Sequence, residues 1–242
     1  MSGRAVHFLY LFTALFILMS AAQAGIQFDA TRVIYPEGKK ETTLGLKNEA
    51  GEPRLIQAWV DAGEGNDTRP PFIIMPPIFR IDPGKGQSLR ISFIGGDIPR
   101  DRESVFWINV LEVSPPPPGK KAGTHDYIQF PVRSRLKLFY RPKGLRGSPK
   151  EAISQLHWRL LREDDALQLE CTNPSAFNVS FSNIQLTPPS ETDEKTLSGM
   201  CPAKGGKVFN IQRKQDIVHG KIFFSIIDDR GAHENVHIDN YY

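Results

Sequence analysis

The sequence predicts an all-β protein made of two sandwich domains. Three observations lead there. Short runs of alternating apolar and polar residues recur along the chain, and Gly, Pro, Asn or Asp bound them. Beyond Gly25, no stretch carries the 3.6-residue apolar period of an amphipathic helix over a useful length. The chain has 242 residues, 40% of them hydrophobic, which suits one or two domains with cores of their own and excludes a disordered or collagenous chain. Two cysteines exclude a disulfide-dense scaffold and a four-cysteine zinc site. The net charge of +3 comes without a long run of one sign. The most basic stretch, RSRLKLFYRPKGLR, interleaves apolar positions, so no nucleic-acid partner is expected.

Residues 1–24 form a separate element. Arg4 precedes an apolar run from Phe8 to Met19 and then the small-residue stretch SAAQAG, the layout of a secretory signal cleaved after Ala24. An N-terminal membrane anchor is the alternative, but the run is shorter than the roughly 20 apolar residues a spanning helix needs. The mature chain then begins at Gly25, without membrane insertion, in an oxidising compartment. There Cys171 and Cys201 either pair or stay as separate buried thiols.

The first domain, residues 25–146, contains the runs IQFDATRVIY, TTLGLKN, RLIQAWVD, FIIMPPIFRI, QSLRISFI, SVFWINVLEV and YIQFPVRSRLKLFY. Seven strands fit one immunoglobulin-like sandwich of about 100 residues. Asp82-Pro83-Gly84 pairs the fixed φ of Pro with a residue free to take positive φ, which is turn chemistry. Pro76-Pro77 cannot donate to a ladder, so an edge strand or bend is expected there, at a place where a cis bond is accessible. The Pro- and Gly-rich RPKGLRGSP marks a boundary near residue 146. The second domain, residues 147–242, carries QLHWRLLRE, ALQLECTN, AFNVSFSNIQL, KVFNIQRK, KIFFSIIDD and NVHIDNYY, enough for a second, smaller sandwich. Its polar segment SETDEKTLSG is expected to be an exposed loop. His233 and His237, four apart in what reads as turn and strand, would stand ~13 Å apart, so no metal site is expected.

The run from Ile128 to Tyr140 is unusual. Ile128, Phe130, Val132, Ser134 and Leu136 alternate on one face, whereas Gln129, Pro131, Arg133, Arg135 and Lys137 make the other mostly polar or cationic. From Leu136 onward the apolar face suits the domain's own core. Pro131 argues that the earlier part is an edge with a free ladder side. Large apolar side chains on an open edge invite aggregation unless a partner covers them.

Four stretches, RLIQAWV, MPPIFRIDPG, PRDRESVFWIN and RLKLFYRP, follow in the order and spacing of a known family. On these the chain resembles the PapD-like periplasmic chaperones of the chaperone/usher pathway that assembles bacterial pili, most closely over residues 26–142. In that family an aromatic, an Asn and a hydrophobic residue follow PRDRES, as Asn109 does here, and a Pro follows the residue matching Val113, where this chain has Ser114.

The resemblance implies two immunoglobulin-like domains in an L shape and a pilus subunit as partner. Ile128, Phe130, Val132, Ser134 and Leu136 would lie on a donor strand that completes the partner's own incomplete fold. It implies further that Arg32 and Lys137 grip the partner's C-terminal carboxylate in the interdomain cleft, and that Glu103, Arg141 and Asp229 form an interdomain charge network. The resemblance also implies an outer-membrane usher that receives the subunit, a periplasmic location, and no cofactor, metal or catalytic step. A secreted two-domain adhesion or carbohydrate-binding module is the alternative, because sandwich folds host many functions. An exported hydrolase ranks behind it.

Overall fold

In a strand successive side chains point to opposite faces, so each alternating run supplies one inward row and one outward row. The computed structural model describes residues 25–66, 68–116, 128, 130–163, 166–186, 197–211 and 221–238; the expected leader, 1–24, and Gln129 fall outside them. The first domain holds β1 (Ile26–Phe28), β2 (Arg32–Pro36), β3 (Thr42–Asn48), β4 (Arg54–Asp61), β5 (Phe72–Met75), β6 (Ile78–Ile81), β7 (Gly86–Phe93), β8 (Ser104–Val113) and β9 (Val132–Arg141). They form one sheet in the order β1-β3-β7-β5 and another in the order β2-β9-β8-β4-β6. Between the sheets Val33, Leu44, Ile56, Leu89, Ile108 and Leu138 are buried in one core. An aromatic cluster of Tyr35, Phe72, Phe93 and Tyr140 joins it, and the Tyr35 hydroxyl donates to the Lys39 carbonyl at 2.6 Å, so its burial leaves no polar group stranded.

Two of the expected strands divide. IQFDATRVIY becomes β1, paired with β3 in one sheet, and β2, paired in parallel with β9 in the other. The break falls where DAT interrupts the alternation, and the Asp29 carboxylate there accepts from the Gly45 N–H at 2.9 Å. FIIMPPIFRI divides at a cis Met75–Pro76 bond, with β5 on one sheet and β6 on the other. The third difference concerns the expected donor strand. Regular structure begins only at Val132, and Ile128 and Phe130 lie outside any strand. Pro131, lacking an N–H, stands between Phe130 and the first paired residue, Val132.

The second domain holds a helix, α1 (Pro149–Ser154), then β10 (His157–Glu163), β11 (Ala166–Asn173), β12 (Val179–Leu186), β13 (Leu197–Cys201), β14 (Gly205–Ile211), β15 (Ile222–Ile227) and β16 (His233–Ile238). The sheets run β10-β11-β14 and β13-β12-β15-β16 and enclose Trp158, Phe181, Phe209 and Phe224. A disulfide joins Cys171 on β11 to Cys201 on β13, and so ties the two sheets together. Closing a loop of 30 residues contributes about 3–4 kcal/mol in the chain-entropy account.

Helix α1 and strand β13 do not appear among the expected elements. The helix spans only 6 residues, too few for a period to show, and is specified by its start. Ser148 caps it by accepting from the Glu151 N–H at 3.2 Å, with Pro149 in the first turn. The expected loop SETDEKTLSG ends in β13 instead, since Leu197–Gly199 pair with β12 across a register shift; residues 190–196 lie outside the described residues. A strand with one aliphatic residue and a glycine among five carries almost no alternation.

Candidate functional site

Strands β2 and β9 run parallel, and the register sets Arg32 directly beside Lys137. Neighbouring strands stand ~4.8 Å apart, and like charges directly opposite each other destabilise a sheet. Both side chains leave the first domain for the second. Arg32 is only 8% exposed, and its Nη1 donates to the Ile227 carbonyl at the end of β15 at 2.9 Å. Its Nε has no hydrogen-bond partner. Lys137 Nζ donates to Ser180 Oγ on β12 at 2.9 Å and lies 5.8 Å from the centre of the Trp107 ring.

Neither cation has an ion-pair partner within 4.0 Å among the described residues. Burial, helped by the neighbouring Arg32 charge, holds the Lys137 ammonium at a pKa of about 8. Burial also lowers Arg32, against the opposing pull of Asp229 and Asp228. Arg32 borders a cavity of about 360 Å³ shared with Phe139 of β9, Pro149 and Ile153 of α1, and Ser180 and Ile226 of the second domain. Two adjacent donors of positive charge, half removed from water and short of acceptors, favour an anion, and a carboxylate suits both.

Beside this pair the expected charge network meets. Arg141, the last residue of β9, makes a two-pronged contact to Asp229 (2.7 and 2.8 Å) and points its Nε at Glu103 Oε1. The other Glu103 oxygen accepts from the Asn178 backbone N–H at 2.9 Å, and the Glu103 N–H donates to the Ala176 carbonyl at 2.9 Å. Burial pushes the Glu103 carboxyl up, against the pull of Arg141 and the Asn178 N–H. Asp229 is the residue that bridges the domains, whereas its neighbour Asp228 accepts from the Arg230 and Ala232 N–H groups within its own turn.

The donor-face residues separate into two groups. Leu136 is in the core, as expected from that position onward, but Ile128, Phe130 and Val132 are 81%, 78% and 56% exposed. Residues 132–136 of β9 pair with β8 alone, because β2 meets β9 only from Lys137 to Arg141. The backbone edge of that stretch is therefore open on one side among the described residues. His233 and His237 both fall on β16.

Sequence reasoning missed the second-domain partners. Ser180 and Asn178 stand in a stretch, Asn178-Val179-Ser180, that matches a weak glycosylation pattern, and the Ile227 contact uses a backbone carbonyl that no residue type can signal. It also missed that Arg133 and Arg135 converge with Asn109 on Asp61.

Residues 25–146 match the family described as pili and flagellar-assembly chaperone, PapD N-terminal domain, and residues 151–238 match pili assembly chaperone PapD, C-terminal domain. The chain belongs to the PapD-like pilus-assembly chaperones. The chaperone is 43% identical over 193 residues to the chaperone protein FimB/FhaD of Bordetella pertussis, covering 76% of this chain and 77% of that protein. It is 38% identical over 226 residues to the probable fimbrial chaperone LpfB of Escherichia coli O157:H7, covering 93% and 92%. Among solved structures, the YadV chaperone is similar with a TM-score of 0.72 at 33% identity, over 89% of this chain and 99% of that one. A chain of the Salmonella enterica complex of SafA pilin with SafB chaperone is similar with a TM-score of 0.70 at 27% identity, over 91% and 99%.

Proposed function

We propose that this chaperone captures a secreted pilus subunit in the periplasm by lending it the strand around residues 128–136, and passes it to an outer-membrane usher. The observation that carries the reading is the Arg32–Lys137 pair: two cations in register at the domain junction, with no carboxylate paired to either within 4.0 Å among the described residues, beside an open strand edge. The C-terminal carboxylate of a pilin entering the cleft supplies the missing acceptor. The pilin's groove then takes Phe130, Val132 and Ile128 as successive apolar anchors, each worth about 1.5–3 kcal/mol when buried, before the loss from ordering. Backbone pairing along the open edge tolerates different pilin sequences, while the carboxylate sets where the strand registers. No covalent step is involved. The bound pilin leaves when the strand of the next one replaces β9.

Residues 1–24 serve as the export signal, and the mature chain from Gly25 works where the Cys171–Cys201 disulfide persists. The complex of SafA pilin with SafB supports a pilin as the kind of partner. A carbohydrate-binding or adhesion module would place its ligand groups in loops at one end of a sandwich, whereas Arg32 and Lys137 lie on strands β2 and β9.

The test is periplasmic co-expression with pilins encoded beside this chain, followed by pull-down of wild type, Arg32→Ala and Lys137→Ala. Removing one side of a desolvated charge contact costs roughly 2–5 kcal/mol, at least a thirtyfold loss of affinity. A one-to-one complex that disappears in both folded variants is the expected result. Binding indifferent to both changes would sink the reading.

A further inference from the structure

Residues 132–136 present a physical difficulty. They follow Pro131, they lack a strand neighbour on one side among the described residues, and Val132 is half in water, yet they continue β9 in register with Glu112 through Ile108 of β8. An edge with so little covering it frays in isolation. What opposes fraying lies on the outward face. Arg133 donates from Nε and Nη2 to Asn109 Oδ1 at 2.8 and 2.6 Å, and from Nη2 to Asp61 at 3.2 Å. Arg135 donates to Asp61 at 3.1 Å and to Glu64 at 2.7 Å. Asn109, fully buried, donates to Asp61 at 2.7 Å and to the Trp107 carbonyl at 3.2 Å, so its amide orientation is determined from both ends.

Aromatic rings complete the clasp. The Arg133 guanidinium lies 5.2 Å from the centre of the Trp59 ring, and Arg135 lies 4.7 Å from that of Trp107. The same Trp107 ring carries Lys137. Three strands, β4, β8 and β9, are thus cross-tied by one carboxylate, one amide and two indoles, at the height where β9 loses its second neighbour.

We propose that Arg133 and Arg135, acting through Asp61 and Asn109, are positioning residues that hold the open half of β9 extended and in register before a pilin arrives. This rests on the donor-strand reading above. A pilin pairing with a preordered edge does not have to order it, so capture is faster. If the clasp is lost and only about a tenth of molecules hold the strand extended, apparent affinity falls about tenfold.

The experiment compares full-length wild type with Arg133→Ala and Asp61→Asn, the latter removing the carboxylate that both arginines share. Hydrogen exchange in the free protein is read over 132–136, with 138–141 as the internal reference, alongside melting temperature and the rate of pilin capture. Exchange at least tenfold faster over 132–136 only, an unchanged melting temperature and capture about tenfold slower are expected. Unchanged exchange over 132–136 overturns the proposal. So does faster exchange along the whole of β9 with a lower melting temperature and normal capture, which marks a merely structural role. If wild type captures no pilin, the donor-strand reading has failed, and the exchange comparison in the free chain still decides whether the clasp orders the strand.

Discussion

Lys137 keeps its proton only to about pH 8, because burial and the Arg32 guanidinium both disfavour the charged form. A bound carboxylate favours that form, so the lysine titrates higher in the complex than in the free chaperone. Affinity for a peptide carrying the last residues of a pilin, with its free carboxylate, is therefore full below about pH 8 and falls as pH rises above it, by up to tenfold per unit. Stability moves the other way. The lysine's pKa in the folded chain lies below its unfolded value of 10.5, so its unfavourable burial is fully present below about pH 8 and is relieved as pH climbs toward 10.5. Titration calorimetry between pH 6.5 and 9.5 checks the first sign, and Lys137→Arg, whose charge does not titrate there, flattens the curve.

Strand β9 divides into two halves with different neighbours. Its C-terminal half is flanked by β2 and β8 and sends Leu138 and Tyr140 into the core, which Leu136 joins from the end of the other half. Its N-terminal half has one strand neighbour among the described residues, and the approach to it carries Phe130 in water. Truncating an exposed side chain leaves no cavity, so Phe130→Ala has an unchanged melting temperature. Its loss appears only in the complex, as a ten- to hundredfold weaker affinity for the pilin from about 1.5–3 kcal/mol of lost burial. A drop in melting temperature without a change in affinity would place Phe130 in the chaperone's own fold.

Between the domains, Arg141 joins a Glu103 carboxylate whose side chain is 2% exposed to the half-exposed Asp229. Removing the arginine leaves a buried carboxylate unpaired, at about 3–5 kcal/mol. Arg141→Ala is expected to split one thermal transition into two and to raise the radius of gyration in small-angle scattering; a single transition at the wild-type temperature contradicts this. The turn after β15 adds a steric element. Gly231 has φ +86° and approaches Thr31 of the first domain so closely that a Cβ would collide with its hydroxyl.

TTLGLKN, RLIQAWVD and SVFWINVLEV coincide with β3, β4 and β8 residue for residue, because runs rich in β-branched, aliphatic and aromatic residues between turn residues are a local signal. By residue order alone the Cys171–Cys201 pairing is one of two open readings, and the Arg32–Lys137 and Glu103–Arg141–Asp229 groups rest on motif resemblance, not on spacing. Where IQFDATRVIY and FIIMPPIFRI cross between sheets, where β13 pairs, and which half of β9 is open depend on partners distant in the chain. So do the Ser180, Asn178 and Ile227 contacts and the clasp on Asp61. The side-chain period and turn chemistry act between near neighbours, so the all-β class and two-domain plan were legible from residue order. Desolvation, like-charge proximity and the absence of a second strand neighbour exist only once distant segments pack, and they alone turn one arginine and one lysine into an anion site beside an open edge.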